Sequence, residues 1–80
     1  MAKQEIRSPL PGTFYRKPAP DQPEFKAPGQ IVAKGDVIGL VEVMKSFHEI
    51  TSDFEGKLIG FLVDNEEPVA PGQVLAEIEN

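Results

Sequence analysis

The sequence predicts an all-β fold, on three observations. The chain has 80 residues, of which 40% are hydrophobic, and this suffices for one small core. Its 8 prolines and 7 glycines interrupt short β-branched runs, and no window longer than about ten residues keeps a helical period. The chain also repeats itself. We expect a single domain over residues 1–80, with residues 1–6 flexible or partly ordered.

Eight strands are predicted from runs of β-prone residues bounded by Gly, Pro, Asp or Ser. The first two flank a proline-containing turn at residues 9–11, and the third and fourth flank the turn Lys34-Gly35-Asp36. The fourth and fifth are nearly continuous, the sixth follows Gly56, and the last two flank Pro71-Gly72. The predicted ranges are 5–8, 12–15, 31–33, 37–43, 47–51, 57–63, 68–70 and 74–79.

An internal repeat predicts how these strands are arranged. VAKGDVIGLVE (32–42) aligns with VAPGQVLAEIE (69–79) at an offset of 37, whereas SPLPG (8–12) aligns with SDFEG (52–56) at an offset of 44. The first half is therefore seven residues longer, and KPAPDQP (17–23) is the expected insertion because its prolines cannot donate into a central ladder. Two copies of one β-unit predict a flattened sandwich or barrel of two four-stranded antiparallel sheets with pseudo-two-fold symmetry.

A two-residue turn at Met44-Lys45 is predicted to join the two halves. Tight hairpin turns favour Asn-Gly because both central residues need positive φ, so Met-Lys costs roughly 1–2 kcal/mol. Such a local conflict is expected where function constrains the residue choice. The Lys45 amine then lies in solvent at the tip. The turn pairs Val43 with Ser46, Val41 with His48 and Gly39 with Ile50 on one face, and directs Glu42 and Phe47 to the other.

Composition argues against several other functions. The net charge of -5 and the absence of a basic cluster argue against nucleic-acid binding. The apolar runs are far shorter than the roughly 18 residues of a membrane span, and residues 1–7 lack an apolar signal core, so we expect a cytoplasmic protein without a membrane partner. With no Cys and one His, we expect no metal site. We interpret His48 as an inward-facing structural histidine, and Glu66 and Glu67 as surface charge.

The segment EVMK, residues 42–45, resembles the E-(A/V)-M-K-M attachment motif of biotinyl domains. SPLPGTFYRKPAPD (8–21) is similar to the start of the bacterial acetyl-CoA carboxylase carrier domain, whose first half contains a protruding thumb. The resemblance covers residues 7–79 and departs at Ser46, where the family usually has methionine. It implies the barrel-sandwich hybrid fold of biotinyl and lipoyl domains, with residues 17–23 as the thumb.

The same resemblance implies residue roles. Lys45 would carry covalent biotin, and Glu42, Val43 and Met44 would be recognised by a biotin protein ligase. Four thumb residues would contact biotin or the carboxylase: Pro18, Ala19, Pro20 and Asp21.

The implied function is that of a non-catalytic biotin carboxyl carrier, with no catalytic residue of its own. It would carry carboxybiotin between the biotin carboxylase and carboxyltransferase subunits of an acetyl-CoA carboxylase-like enzyme in fatty acid biosynthesis. Three alternatives remain open: a lipoyl-type acyl carrier, the carrier of a different biotin-dependent carboxylase, and a β interaction module without a prosthetic group. Lipoyl domains usually have Asp or Glu directly before the lysine, so Met44 favours biotin.

Overall fold

A computed structural model describes residues 2–80, which form eight strands in two four-stranded sheets. The strand orders are β1-β8-β6-β3 and β5-β4-β2-β7, and every neighbouring pair is antiparallel. The molecule measures 38 × 27 × 19 Å, so the sandwich is flattened, and the predicted fold class is confirmed. The strands are β1 Lys3–Arg7, β2 Gly12–Tyr15, β3 Ile31–Val32, β4 Val37–Val43, β5 Ser46–Thr51, β6 Gly56–Phe61, β7 Glu67–Val69 and β8 Val74–Glu79.

The strand bounds follow the prediction closely. β2, β4 and β8 match it residue for residue, and β3 and β5 differ by one residue at one end. β7 is shifted by one residue toward the N-terminus, β6 begins one residue and ends two residues earlier than expected, and β1 begins two residues and ends one residue earlier. Of residues 1–6, expected to be flexible or partly ordered, residues 3–6 lie in β1 and pair with β8, while residue 1 lies outside the described residues.

The two halves are equivalent in structure as well as in sequence. The strand order of one sheet becomes that of the other when each strand is exchanged for its equivalent in the other half: β1 with β5, β2 with β6, β3 with β7 and β4 with β8. The equivalent serines are both buried, and each hydroxyl donates to a carbonyl two residues on: Ser8 to Leu10 at 2.6 Å, and Ser52 to Phe54 at 2.5 Å. The pseudo-two-fold symmetry predicted from the repeat is therefore confirmed.

The core lies between the two sheets and is built from both halves. Apolar burial of this kind contributes roughly 25 cal/mol per Å² and holds the sheets face to face. Residues 2–80 include no helix with the length and hydrophobicity that a transmembrane span requires. The buried apolar residues are Ile6, Phe14, Val32, Ile38, Val41, Ile50, Leu58, Val63, Val69, Leu75, Ala76 and Ile78.

Candidate functional site

The turn between β4 and β5 is the two-residue turn that the sequence predicts. Val43 pairs with Ser46, and the ladder continues in register to Gly39 and Ile50 before a bulge near the start of β4. Met44 has φ 50° and Lys45 has φ 70°, so both residues adopt the left-handed conformation that a type I′ hairpin turn requires. Side chains that disfavour this conformation are thus held in it by the surrounding ladder.

This turn presents Lys45 to solvent. The side chain is exposed, and the neighbouring Met44 is 93% exposed. None of the ion pairs formed by residues 2–80 involves Lys45. The amine is therefore accessible to the active site of another protein, on a backbone that the β4–β5 ladder fixes.

The residues before the lysine anchor this tip to the sandwich. Val43 is half-buried and packs against the core. Glu42 points to the opposite face, where its carboxylate accepts a 3.1 Å hydrogen bond from the Tyr15 hydroxyl. This bond raises the pKa of Tyr15 above 10.0, because ionisation would remove the donor and place a second negative charge beside Glu42. The structure thus brings Glu42, Val43, Met44 and Lys45 together in one strand and turn.

The connection from β2 to β3, residues 16–30, contains the thumb. Its base is closed by the amide of Phe25, which donates to the carbonyl of Arg16 at 3.0 Å. The Arg16 guanidinium forms an ion pair with Glu24 and lies 4.3 Å from the centroid of the Phe61 ring. These contacts attach the thumb to the end of β6.

Matching side-chain bonds locate the extra residues. The amide of Ala27 donates to the Gln30 side chain at 2.5 Å, and the equivalent amide of Asp64 donates to Glu67 at 2.8 Å. The offset of 37 therefore already holds at Ala27. The offset of 44 still holds at Phe14, since the carbonyls of Phe14 and Leu58 accept equivalent hydrogen bonds. The additional residues therefore lie between Phe14 and Ala27, an interval that includes the predicted insertion at residues 17–23.

A groove of about 490 Å³ separates the thumb from the hairpin. The rings of Tyr15 and Phe47 form part of its wall, with centroids 5.9 Å apart. Three of the four predicted thumb residues line it, whereas Asp21 is exposed and is not part of the lining. We call this the tip groove, and its lining residues are Tyr15, Lys17, Pro18, Ala19, Pro20, Phe47, Asn65 and Glu66.

The prediction for His48 is wrong. His48 pairs with the buried Val41 as expected, but its side chain is exposed. β5 is an edge strand, so residues on its inward-directed face near the turn extend beyond the cover of the opposite sheet. Phe47, by contrast, is predicted to lie on the other face, and it is 59% exposed there and lines the tip groove.

Glu66 is more than the surface charge that its sequence context predicts, because it occupies a strained backbone position. Its φ is 66°, and the equivalent residue of the first half is Gly29, with φ 94°. Both amides donate to equivalent carbonyls, Glu66 to Phe14 at 2.7 Å and Gly29 to Leu58 at 2.8 Å. Extending the offset of 37 to Gly29 would have identified this position.

Strained backbone concentrates at functional sites, and in residues 2–80 the three non-glycine residues with positive φ lie in the turn or the tip groove.

The tip contains no arrangement of ligands for a metal ion. Across the described part of the chain, no three His, Cys, Asp or Glu side chains are grouped closely enough to hold one. The chemistry available at the tip is that of a primary amine beside an aromatic groove.

Sequence comparison relates the chain to known proteins. A family model described as "Biotin-requiring enzyme" matches residues 4–78. The chain is 42% identical over 73 residues to the biotin carboxyl carrier protein of acetyl-CoA carboxylase from Chlamydia pneumoniae, covering 91% of this chain and 44% of that protein. It is 41% identical over 75 residues to the protein of the same name from Nostoc sp., covering 94% of this chain and 41% of that protein. The chain thus spans less than half the length of these relatives.

Structural comparison agrees with this relationship. The urea carboxylase of Kluyveromyces lactis contains a region that superposes with a TM-score of 0.80 at 25% identity, covering 99% of this chain and 6% of that enzyme. A single-chain, multi-domain long-chain acyl-CoA carboxylase superposes with a TM-score of 0.79 at 20% identity, which supports the fold alone.

Proposed function

Because the chain belongs to the family of biotin-requiring enzymes, we propose that Lys45 is its site of covalent biotin attachment. The observation that carries this proposal is the exposed Lys45 amine in a left-handed two-residue turn, a position where Asn-Gly would be favoured on conformational grounds. Met44 and Lys45 both bear the conformational cost of positive φ, and the turn that they form exposes the Lys45 amine.

The residues of the tip suit attachment by a separate biotin ligase. Nζ of Lys45 must lose a proton and attack the carbonyl carbon of the biotinyl-adenylate that the ligase would present. The new amide C–N bond would form as the acyl–phosphate C–O bond breaks, with AMP as the leaving group. No carboxylate of residues 2–80 forms an ion pair with Lys45, so the ligase must supply the base and desolvate the amine. Met44 offers an exposed apolar contact next to the amine, and Val43 and Glu42 hold the strand that leads to it.

The chain then acts as a non-catalytic biotin carboxyl carrier of an acetyl-CoA carboxylase, a proposal that the names of its relatives support. Its partners are a biotin ligase, a biotin carboxylase and a carboxyltransferase, and its compartment is the cytoplasm. Once attached, biotin carries a carboxyl group between the active sites of the carboxylase and the carboxyltransferase. The domain contributes effective concentration, because a tethered group replaces a bimolecular search by an intramolecular one. The sandwich fixes the tip, and the lysine arm supplies the reach.

The thumb contributes a second surface to this carrier. Pro18, Ala19 and Pro20 face Tyr15 and Phe47 across the tip groove, close to the turn that carries the lysine. This proline-containing wall would limit the volume that the lysine arm can sample, since Phe47 across the groove is only two residues from Lys45. Deleting residues 17–23 should leave folding and biotinylation intact and change the rate of carboxyl transfer. An unchanged rate in the folded, biotinylated deletion variant would remove a role for the thumb.

A lipoyl carrier is the alternative with the same fold, and Met44 before Lys45 is what favours biotin over it. The chain is co-expressed either with a biotin ligase or with a lipoate ligase, and its intact mass is measured. We expect the mass increase of one biotin in the first case and little lipoylation in the second. Lys34→Arg provides the matched control, since Lys34 is also an exposed turn lysine but its equivalent in the other half is Pro71. Biotinylation should survive Lys34→Arg and disappear in Lys45→Arg.

A further inference from the structure

Tyr15 connects the hairpin to the centre of its sheet. It is the last residue of β2 and pairs with Leu40 of β4. Its hydroxyl donates to Glu42 of β4 at 3.1 Å, and its ring packs against Phe47 of β5 with centroids 5.9 Å apart. One side chain thus contacts residues from both strands of the hairpin.

We propose that Tyr15 is a positioning residue for the modification of Lys45, because it holds the Glu42 carboxylate and the Phe47 ring in the orientation that the ligase meets. This inference rests on the proposed function above and assigns Tyr15 a role in that same reaction. Tyr15 pairs with Leu40, five residues before Lys45 in the chain, so it acts on the hairpin tip through its contacts with Glu42 and Phe47 and not by touching the amine.

Preorganisation is the physical basis of this role. A glutamate side chain has several rotamers, and a hydrogen bond from a half-buried donor selects one of them. Without that donor Glu42 populates other rotamers, so only a fraction of the carrier molecules present the arrangement that the ligase binds. Apparent affinity then falls by that fraction.

The surroundings keep the Tyr15 hydroxyl in its donor form. The carboxylates of Glu42 and Glu66 both raise the pKa of Tyr15, with the hydrogen bond to Glu42 as the largest cause. The hydroxyl therefore stays protonated at neutral pH and remains available to donate. Phenylalanine at this position would keep the ring contact with Phe47 but would leave Glu42 without its donor.

The test is steady-state biotinylation of Tyr15→Phe by a biotin ligase, with the folded fraction measured by circular dichroism so that only folded chains count as substrate. We expect KM to rise about 3- to 10-fold while kcat changes little, a range typical of losing one hydrogen bond. In the Glu42→Ala background the same substitution should have little further effect, because its target is already gone. Tyr15→Leu, which also removes the ring contact, should lose more than Tyr15→Phe.

Two results would overturn the role of Tyr15. One is a wild-type KM for Tyr15→Phe, and the other is an equal loss with and without Glu42, which is the pattern of a purely structural residue. Failure of the proposed function is distinguishable, since in that case the wild-type chain itself would not be labelled at Lys45.

Discussion

Replacing Glu66 with glycine should stabilise the domain. Glu66 has φ 66°, and a side chain in the left-handed region costs roughly 1–2 kcal/mol. Glycine removes that cost but loses about 0.5–1 kcal/mol more conformational entropy on folding. Within residues 2–80, the one side-chain hydrogen bond given up is a 3.5 Å, exposed contact with Asn65. The midpoints of these two ranges leave a gain of about 0.75 kcal/mol, which raises Tm by roughly 3–6 °C in a domain of this size.

The equivalent position in the first half provides the matched control. Gly29 has φ 94°, and a Cβ added there would meet no atom within 4 Å, so the effect of Gly29→Ala is conformational and not steric. This substitution should lower the free energy of unfolding by about 1 kcal/mol. Thermal and urea unfolding followed by circular dichroism measure both variants. The reasoning is refuted if Glu66→Gly is no more stable than wild type, or if Gly29→Ala is no less stable.

Three further predictions concern packing and pH. Gly12→Ala should lower the free energy of unfolding in urea by about 1–3 kcal/mol, because the new Cβ would lie 2.2 Å from the carbonyl oxygen of Glu42. Wild-type stability would contradict this, since it would mean that β2 and β4 can move apart without cost. Leu58→Ala should cost about 2–5 kcal/mol by the same assay, since Leu58 is fully buried, and a loss below 1 kcal/mol would contradict its place in the core. The pKa of Asp36 is lowered below 3.8, chiefly by the hydrogen bond from the Ala33 amide. The ionised carboxylate therefore adds to the free energy of unfolding above pH 3.8, and this stabilisation is lost as the pH falls through the lowered pKa. Asp36→Asn should therefore be less stable than wild type at pH 7, with a difference that shrinks in strong acid; a difference independent of pH would contradict this.

The hairpin could be predicted from the sequence because its turn has two residues. Turn length fixes the register of a β-hairpin, and the register then fixes the face of every following residue. The pairing of Val43 with Ser46 and of Gly39 with Ile50 followed from Met44-Lys45 alone. The internal repeat likewise predicted both sheets, since equivalent residues occupy equivalent strands.

Two features of the tip could not be predicted from the sequence: the exposure of His48 and the hydrogen bond between Tyr15 and Glu42. The register correctly places His48 opposite Val41. Whether the His48 side chain is buried depends on how far the other sheet extends over the edge strand β5, which the register of one hairpin does not determine. The bond between Tyr15 and Glu42 joins residues 27 positions apart through a side-chain rotamer, which strand pairing does not specify. The strain at Glu66 was detectable, because its repeat partner is a glycine.

The most direct test of the account is tandem mass spectrometry of the chain after reaction with a biotin ligase, biotin and ATP. Fragment ions should locate one biotin on Nζ of Lys45, and Lys45→Arg should remain unlabelled while keeping the wild-type circular dichroism spectrum. Biotin on any other lysine, or an unmodified wild-type chain under conditions that label a known carrier domain, would contradict it.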